Sequence, residues 1–387
     1  MTAIPTEPIW IDQDQQLARL CARWRGQTAI AVDTEFMRSE TFYPKAGLLQ
    51  VGDGQGCYLI DPLAIGELQP LRELFMAPEV TKVLHAPSED LEVFQHWLGV
   101  LPDPLFDTQL AAAFAGEGFS LGYAGLGKAL LGVEIPKGET RSNWLQRPLS
   151  VAQQRYAALD VAHMLVIYGK LLQRLKTSER LHWVKAESAD LVAKARQEPE
   201  PGDYYRKLGS AWKLHRRELA VLRQVCAWRE REARRSDRPR NRLIKEAGLW
   251  ELARRQPSDL GQLQALKEVP GRTLRDYGET LLEQVALGRS QPEALWPEPL
   301  PAPMGRAEAP FLKTLKAHVR NLAERLDLPP ELLARKRDYE ALVRSGLKGG
   351  EFILPPGLEG WRRDLLGDSL LEVARAHKGS LVAEVPR

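Results

Sequence analysis

Short apolar segments that favour β-strands alternate with amphipathic segments over the first third of the chain, and helical spacing takes over after Asp107. The predicted strands are 30–36, 48–51, 57–61 and 83–85. The predicted helices are 67–76, 88–98, 107–115, 120–131 and 150–175, the last of them starting behind Pro148 and Ser150. The pattern predicts an α/β domain over 1–200 that ends in helices.

Proline placement divides the rest of the chain. Six prolines lie between 291 and 310, a density that neither a helix nor a central strand tolerates. The segment 197–209 is also rich in proline and glycine, which predicts a first linker. The predicted units that follow are an all-helical domain over 210–290, a proline-rich linker over 291–308 and a second helical domain over 309–387.

Charge is distributed unevenly along the chain. The net charge is only +3, yet 206–255 holds sixteen Lys and Arg against six Asp and Glu, so the remainder is acidic. This split predicts one region that binds polyanions and another that concentrates carboxylates. A solvated basic helix face is the other interpretation of the same segment.

The cysteines and the apolar segments indicate the compartment. Cys21, Cys57 and Cys226 are far apart in the sequence and odd in number, which argues against a disulfide framework and against a cysteine zinc site. The chain has no apolar segment as long as a membrane helix, and its N-terminus lacks the pattern of a signal peptide. We expect a soluble, monomeric protein of the reducing cytoplasm.

Asp33 and Glu35 are one residue apart in the apolar segment AIAVDTEF. On a strand both side chains point to the same face. Two adjacent anions at a buried strand are costly unless a cation neutralises them, which predicts a metal site. Acids at a strand end that faces water are the alternative.

Two further aspartates occupy helix faces that are otherwise apolar. Asp90 lies in line with Phe94 and Trp97, and Asp160 in line with Ile167 and one turn after Tyr156. A carboxylate in such a position needs a partner, which can be a metal ion, a helix cap or an ion pair. The Tyr156 phenol is expected in the same space as Asp160, where it orients or deprotonates a water molecule or has a structural role.

The four acids together favour phosphoryl transfer to water. Two divalent ions about 3.5–4 Å apart activate the nucleophile and stabilise the leaving oxygen in such reactions. Oxygen ligands without cysteine suit Mg²⁺ or Mn²⁺, so we expect two ions of this kind. Gly122 to Lys128 has the glycine and lysine spacing of a phosphate-binding loop, but Ala129 replaces the hydroxyl residue and no strand precedes it, so no nucleotide cofactor is expected.

Three motifs resemble those of the DEDD exonuclease superfamily in its tyrosine branch: DTE at 33–35, HAPSEDLEVF at 85–94 and YAALD at 156–160. The flanking segments EFMRSETFYPKAGLLQ, FDTQLAA and ETRSNWLQRPL are similar to those of the ribonuclease D family, and the helical regions resemble its HRDC domains, the second less closely. The resemblance implies an RNase H-like α/β exonuclease domain followed by two all-α HRDC-type domains.

The resemblance also implies a role for individual residues. Asp33, Glu35 and Asp160 bind one metal ion, Asp33 and the Asp90 region hold the second, and Tyr156 binds the attacking water. Arg155 stands where the histidine branch would have its histidine.

Substrate contacts are implied at further positions. Phe36 and Gln50 frame the terminal nucleotide, although Phe36 is equally suited to core packing. Lys137, Arg141 and Trp144 lie in a polar loop just before the helix that carries the third motif; they are candidates for contacts with phosphate and base, and a simple connecting loop is the alternative. His85, at a strand end, is structural or faces the substrate.

The expected activity is removal of single nucleotides from RNA 3′ ends with release of nucleoside 5′-monophosphates, and the expected substrates are tRNA precursors and other structured RNA 3′ ends. Two other classes share these features. One is an RNA-binding adaptor with an inactive nuclease fold, and the intact set of acids with Tyr156 argues against it. The other is a DNA proofreading nuclease, which would normally accompany a polymerase-sized region.

Overall fold

A six-stranded mixed sheet forms the centre of the first half of the chain in the computed structural model, which describes residues 5–136, 138–139, 141–347 and 350–377. The strand order is β1-β4-β3-β2-β5-β6. The strands are β1 Pro8–Ile11, β2 Ala29–Met37, β3 Lys45–Gly52, β4 Cys57–Ile60, β5 Thr81–Leu84 and β6 Leu105–Asp107. β1 runs parallel to β4, β5 runs parallel to both β2 and β6, and β3 runs antiparallel to β4. The predicted α/β class is confirmed.

Helices cover both faces of this sheet. They are α1 Asp14–Trp24, α2 Gln69–Met76, α3 Ser88–Trp97, α4 Thr108–Phe114, α5 Tyr123–Leu131, α6 Val151–Ala162, α7 Met164–Thr177 and α8 Leu181–Arg196. Ile30 and Val32 pack with α1, α2 and α3, whereas Ala31 packs with α4 to α7. The side chains of β2 therefore alternate between two apolar layers, as a central strand requires.

The segment predicted as one helix over 150–175 is two helices: α6 ends at Ala162, α7 begins at Met164, and His163 caps both. α6 packs closely on β3 at this point: a Cβ on Gly52 would lie 2.8 Å from the Val161 carbonyl oxygen. The strands β1 and β6 and the helices α1 and α8 were not predicted. β6 has three residues and β1 has four, which is too short for a two-residue period to stand out.

One compact unit consists of 196–303 together with 36–45. Its helices are α9 Arg216–Arg235, α10 Arg240–Leu243, α11 Glu246–Arg255, α12 Leu260–Gln264 and α13 Gly271–Arg289. The predicted linker over 197–209 is folded instead, with a 3₁₀ helix at Pro201–Lys207. Tyr205 and Leu208 are buried in the core of this unit, and these two apolar anchors were obscured by the proline and glycine pattern around them. The predicted linker over 291–308 contains only the 3₁₀ turn Glu293–Leu295.

The last helical region belongs to the same compact unit as the sheet. Its helices are α14 Ala309–Leu326, α15 Pro330–Leu333, α16 Lys336–Gly346 and α17 Asp368–Ala376, the last preceded by a π turn at Arg363–Gly367. The Trp361 ring stacks on Trp183 with centroids 4.8 Å apart, and its indole N–H donates to Glu187 at 3.0 Å. Arg362 forms an ion pair with the same Glu187. The last region and the nuclease helices thus share one apolar core.

No helix within the described ranges has the length and apolar character that crossing a bilayer requires.

Truncation of Leu315 on α14 should destabilise the nuclease unit, because this fully buried side chain lies in the apolar core that contains Ala31 of β2. We expect Leu315→Ala to lower the free energy of unfolding by about 2–5 kcal/mol and to speed hydrogen exchange in β2. Leu281→Ala is the matched control, since Leu281 is equally buried in the other unit. Equal exchange rates in β2 for both variants would show that the shared core does not couple the two regions.

Candidate active site

β2 places two acids on the face that α6 covers. The side chains of Asp33 and Glu35 point to the same face of β2 as that of Ala31, because the three residues are two positions apart along the strand. Ala31 lies in one apolar cluster with Ala158 of α6. Both acids follow the buried residues 30–32 of this internal strand and are themselves half-buried. The strand therefore delivers two carboxylates to one point beneath the helix.

α6 supplies the third acid and a phenol. The helix begins at a capping box in which the Ser150 hydroxyl accepts from the Gln153 N–H at 3.1 Å and the Gln153 side chain accepts from the Ser150 N–H at 3.0 Å. Tyr156 and Asp160 follow on one face, one turn apart. The Tyr156 phenol donates a hydrogen bond to the Asp160 carboxylate.

Asp90 approaches from the first turn of α3. The preceding turn is held by Asp107, whose carboxylate accepts from the Ala86 N–H at 3.0 Å and the Gln109 N–H at 2.9 Å. Ala86 has a φ of 54°, a left-handed conformation that this hydrogen bond helps to maintain. The Thr34 hydroxyl donates to Asp90. Since Thr34 stands between Asp33 and Glu35, this hydrogen bond ties Asp90 to the strand that carries those two acids.

The pKa values of the four carboxyls are all raised, and burial is the largest cause for each. Burial and the nearby acids Asp90, Asp160 and Glu35 raise the pKa of Asp33 well above its ordinary range. The pKa of Glu35 rises to about 9, that of Asp160 to about 7 and that of Asp90 to about 6. The hydrogen bonds from Tyr156 and Thr34 lower the last two values in part. The site therefore favours either protonated carboxyls or a bound cation.

This donor set fits hard divalent cations. Carboxylate oxygens are the ligands that Mg²⁺ and Mn²⁺ prefer, and Asp33, Glu35, Asp90 and Asp160 act on one another electrostatically. Across the described ranges, no three acidic, histidine or cysteine side chains converge closely enough to enclose an ion as they stand. Repulsion between the carboxylates opposes such convergence, and a bound cation would remove it.

His85 is a neutral acceptor or donor at the edge of this site. The Thr108 hydroxyl donates to the Leu84 carbonyl at 3.0 Å, so it accepts from His85 Nδ1 at 2.9 Å, which places the imidazole proton on Nδ1. Burial lowers the pKa of His85 to about 4. Its ring lies 5.7 Å from that of Tyr123, whose phenol donates to the Leu159 carbonyl at 3.3 Å. A neutral His85 suits hydroxyl groups better than phosphates.

The other predicted substrate contacts differ in their surroundings. Gln50 is completely buried on β3, and both of its amide atoms lack a hydrogen-bond partner. Trp144 is only 1% exposed, so its ring face is not open to stack on a base, and its indole N–H also lacks a partner. Arg141 is exposed, Phe36 is half-buried at the end of β2, and Lys137 lies outside the described residues.

Sequence reasoning missed the residues that hold the predicted acids in place. Thr34 was not predicted to have a role. Its side chain points to the face opposite to that of Asp33, which indicates a contact with another layer, and the hydroxyl binds Asp90 of α3. Tyr123 lies in the segment considered as a phosphate-binding loop. Its side chain is half-buried, and desolvation and the nearby Asp160 raise its pKa well above its ordinary range. No periodicity in the sequence points to this contact, because it joins two helices.

The fold and the acid cluster agree with the class of protein that the family match identifies: a model described as a 3′–5′ exonuclease matches residues 8–176. An HRDC domain model matches 218–285, and a model of the ribonuclease D C-terminal HRDC domain matches 310–370. The chain belongs to the ribonuclease D family, and it is a 3′–5′ exoribonuclease.

Two relatives and one solved structure illustrate this membership, and a second structure shares the fold. Ribonuclease D of Pseudomonas paraeruginosa is 48% identical over 362 residues, which cover 94% of this chain and 96% of that protein. Ribonuclease D of Escherichia coli is 39% identical over 367 residues, covering 93% and 96%. The crystal structure of Escherichia coli RNase D aligns with a TM-score of 0.89 at 37% identity, over 96% of this chain and 99% of that one. The catalytic core of RRP6 from Trypanosoma brucei shares the fold, with a TM-score of 0.58 at 23% identity over 74% and 81%.

Replacing Thr34 by valine should weaken metal binding, because valine keeps the shape of threonine and removes the hydroxyl that holds Asp90. We expect the Mn²⁺ concentration for half-maximal activity to rise about 10–100-fold, as for other groups that orient metal ligands. Thr34→Ser is the control and should stay close to the wild type. Equal metal requirements for Thr34→Val and the wild type would show that the hydrogen bond does not position Asp90.

The stability of the metal-free protein should fall as pH rises. The pKa values of Glu35, Asp160 and Asp90 are higher in the folded than in the unfolded chain, so the folded state binds more protons between pH 4 and 9. Their contribution to the free energy of unfolding is complete below the unfolded pKa near 4. It is lost as the pH rises through the folded pKa values of about 6, 7 and 9.

Mg²⁺ should offset this loss, so the increase in Tm caused by Mg²⁺ over EDTA should grow with pH. Thermal unfolding at acidic, neutral and alkaline pH measures it. Asp33→Asn, which removes one negative charge, should reduce the pH dependence. A Tm increase that is the same at every pH would contradict this linkage.

Proposed function

We propose that this exoribonuclease hydrolyses the last phosphodiester of an RNA 3′ end at a two-ion site ligated by Asp33, Glu35, Asp90 and Asp160. The observation that carries the proposal is the convergence of four carboxyls beside β2, where Asp90 is buried, the other three are half-buried, and their mutual repulsion and desolvation raise their pKa values. Mg²⁺ or Mn²⁺ is the expected ion. When bound, the two ions supply an activated water and charge stabilisation at the leaving oxygen.

Tyr156 is assigned to the attacking water. Its phenol donates to Asp160, which leaves the phenol oxygen free to accept a hydrogen bond from a water molecule. Burial and the nearby Asp160, Glu35 and Asp33 raise the pKa of Tyr156 far above its ordinary value. A phenol that stays protonated orients water rather than deprotonating it, so of the two roles predicted for Tyr156 we favour orientation.

Three residues are assigned to the terminal nucleotide. Gln50 is as inaccessible as Trp144, but both polar atoms of its amide lack a protein partner, so it would gain hydrogen bonds from a base or ribose once the side chains that cover it give way. His85 is neutral and suits a ribose hydroxyl. Phe36 follows the acidic pair directly on β2, a position from which a ring can stack on a base. Arg141 and Lys137 remain candidates for phosphate contacts, and Trp144 is better placed to support Tyr156.

The substrates are expected to be structured RNA 3′ ends, tRNA precursors among them. Escherichia coli RNase D is described as an exoribonuclease involved in structured RNA processing, and this chain is similar to it over nearly its whole length. Exposed cations on the first helical region would bind the RNA backbone; they include Arg217, Arg231, Lys245 and Arg255.

We also infer a monomer in the cytoplasm. All proposed catalytic side chains come from one chain, and Cys21, Cys57 and Cys226 are free and buried. Buried thiols of this kind are compatible with a reducing compartment.

Asp33→Asn and Asp90→Asn test the site. Each substitution removes a charge from the metal ligands and keeps the shape of the side chain, so kcat/KM on RNA should fall on the order of 10³-fold, equivalent to several kcal/mol of transition-state stabilisation. Glu89→Gln is the matched control: Glu89 precedes Asp90 on the same helix turn but is exposed, and this variant should trim normally. The assay follows Mg²⁺-dependent shortening of an RNA labelled at its 5′ end.

The same assay separates the alternatives. RNA with a blocked 3′ hydroxyl should resist, and cuts within such an RNA would indicate an endonuclease. Trimming of DNA of the same sequence tests whether the enzyme distinguishes ribose from deoxyribose. Wild-type trimming by Asp33→Asn would overturn the site assignment and leave the family membership untouched.

A further inference from the structure

The side chain of Arg147 ties the loop before α6 to the sheet. Its guanidinium forms a fork with Asp61 at the end of β4, with Nε at 2.7 Å from one carboxylate oxygen and Nη2 at 2.5 Å from the other. The same group donates to the carbonyls of Gly47 at 2.7 Å, Trp144 at 3.0 Å and Gln146 at 2.7 Å. It also lies over the Trp10 ring, 5.6 Å from the centroid. One side chain thus joins β1, β3, β4 and the loop.

This loop is continuous with the start of α6. The Gln146 amide donates to Gln153 at 3.3 Å, and the Gln153 amide donates to the Asn143 carbonyl at 3.3 Å. Gln153 is 2% exposed and is also part of the capping box that begins the helix. The position of the first turn of α6 therefore depends on the loop that Arg147 holds.

The loop also supports Tyr156 directly. Trp144 is pressed against β3, since a Cβ on Gly47 would lie 2.7 Å from the Trp144 Cβ. The Trp144 ring lies 6.2 Å from the Tyr156 ring, with 39° between their planes. Arg147 binds the carbonyl of Trp144 itself, so the guanidinium fixes the residue whose ring borders the phenol.

We propose that the Arg147–Asp61 pair positions Tyr156 for catalysis, acting through Trp144 and the first turn of α6. The inference rests on the proposed role of Tyr156 and adds two positioning residues to it. Asp61 is buried, so its charge needs a permanent partner, and the planar fork of arginine satisfies it while leaving N–H groups for three carbonyls. A lysine in this place keeps the charge and cannot reach all of these acceptors.

The same sheet contains a matched pair without this connection. Asp53, as buried as Asp61, forms an ion pair with Arg23 of α1. Asp53 also accepts from the N–H groups of a turn, at Gln55 and Gly56, just as Asp61 accepts from Leu63. The two aspartates therefore have the same structural task, and only Asp61 is joined to the loop before α6.

The experiment compares Asp61→Asn, Arg147→Lys and Asp53→Asn in the full chain, each in the wild-type and the Tyr156→Phe background. Circular dichroism and Tm establish folding, and kcat and KM for RNA trimming are measured well below each Tm. We expect Arg147→Lys and Asp61→Asn to lower kcat about 10–100-fold, as small misplacements of catalytic groups do. KM should change little, and Asp53→Asn should keep its kcat despite a similar loss of Tm.

The double variants decide between positioning and simple stabilisation. If Arg147 acts through Tyr156, Arg147→Lys should have little further effect on kcat once the phenol is gone, because effects on one catalytic unit are not additive. Equal losses in both backgrounds, or a similar kcat loss for Asp53→Asn, would overturn the positioning role alone. Wild-type kcat in Tyr156→Phe itself would overturn the assignment of Tyr156 together with this inference.

Discussion

Repulsion between four carboxyls at one end of a buried strand is the constraint on which the active site depends. Asp33 and Glu35 share a face of β2, and α3 and α6 bring Asp90 and Asp160 to them. Their raised pKa values show that the folded chain bears a cost there, which protonation or cations relieve. A protein that keeps such a cluster without cations would gain stability from replacing any member, so the cluster is understandable as a ligand set.

A cluster that repels itself has to be held together by its surroundings. Thr34 and Tyr156 each donate a hydrogen bond to one acid, so neither of those two carboxylates can turn away freely. Further out, Asp107 fixes the turn that aims α3, and Arg147 fixes the loop that aims α6. The groups that contact the acids are neutral hydroxyls, Asp107 accepts from backbone N–H groups, and Arg147 is already paired with Asp61, so none of them replaces the metal ions.

The sequence predicted what depends on local periodicity. The two-residue period of β2 put Asp33 and Glu35 on one face, and the helical period put Tyr156 in reach of Asp160, and both arrangements are present. The break at His163 was not predicted, because helical spacing continues through both halves of the segment; the close approach of Val161 to Gly52 at this point is a contact between distant segments. The roles of Thr34 and Arg147 depend on contacts between distant segments, which a single sequence does not encode as a pattern.

Both helical regions were predicted as HRDC-type domains, the second less closely, and they differ in how they pack. The last region was expected to be a separate domain, but it shares an apolar core with the nuclease helices, and Glu187 binds both Trp361 and Arg362 of that region. The basic excess of the first region was expected to face RNA, yet part of it is structural: Arg229 is buried, and Arg240 is paired with the buried Glu230. The cations available to a polyanion are therefore fewer than the sequence count suggests. The salt dependence of RNA binding should therefore reflect only the exposed Lys and Arg side chains, since only side chains that contact phosphates release counterions from the RNA on binding.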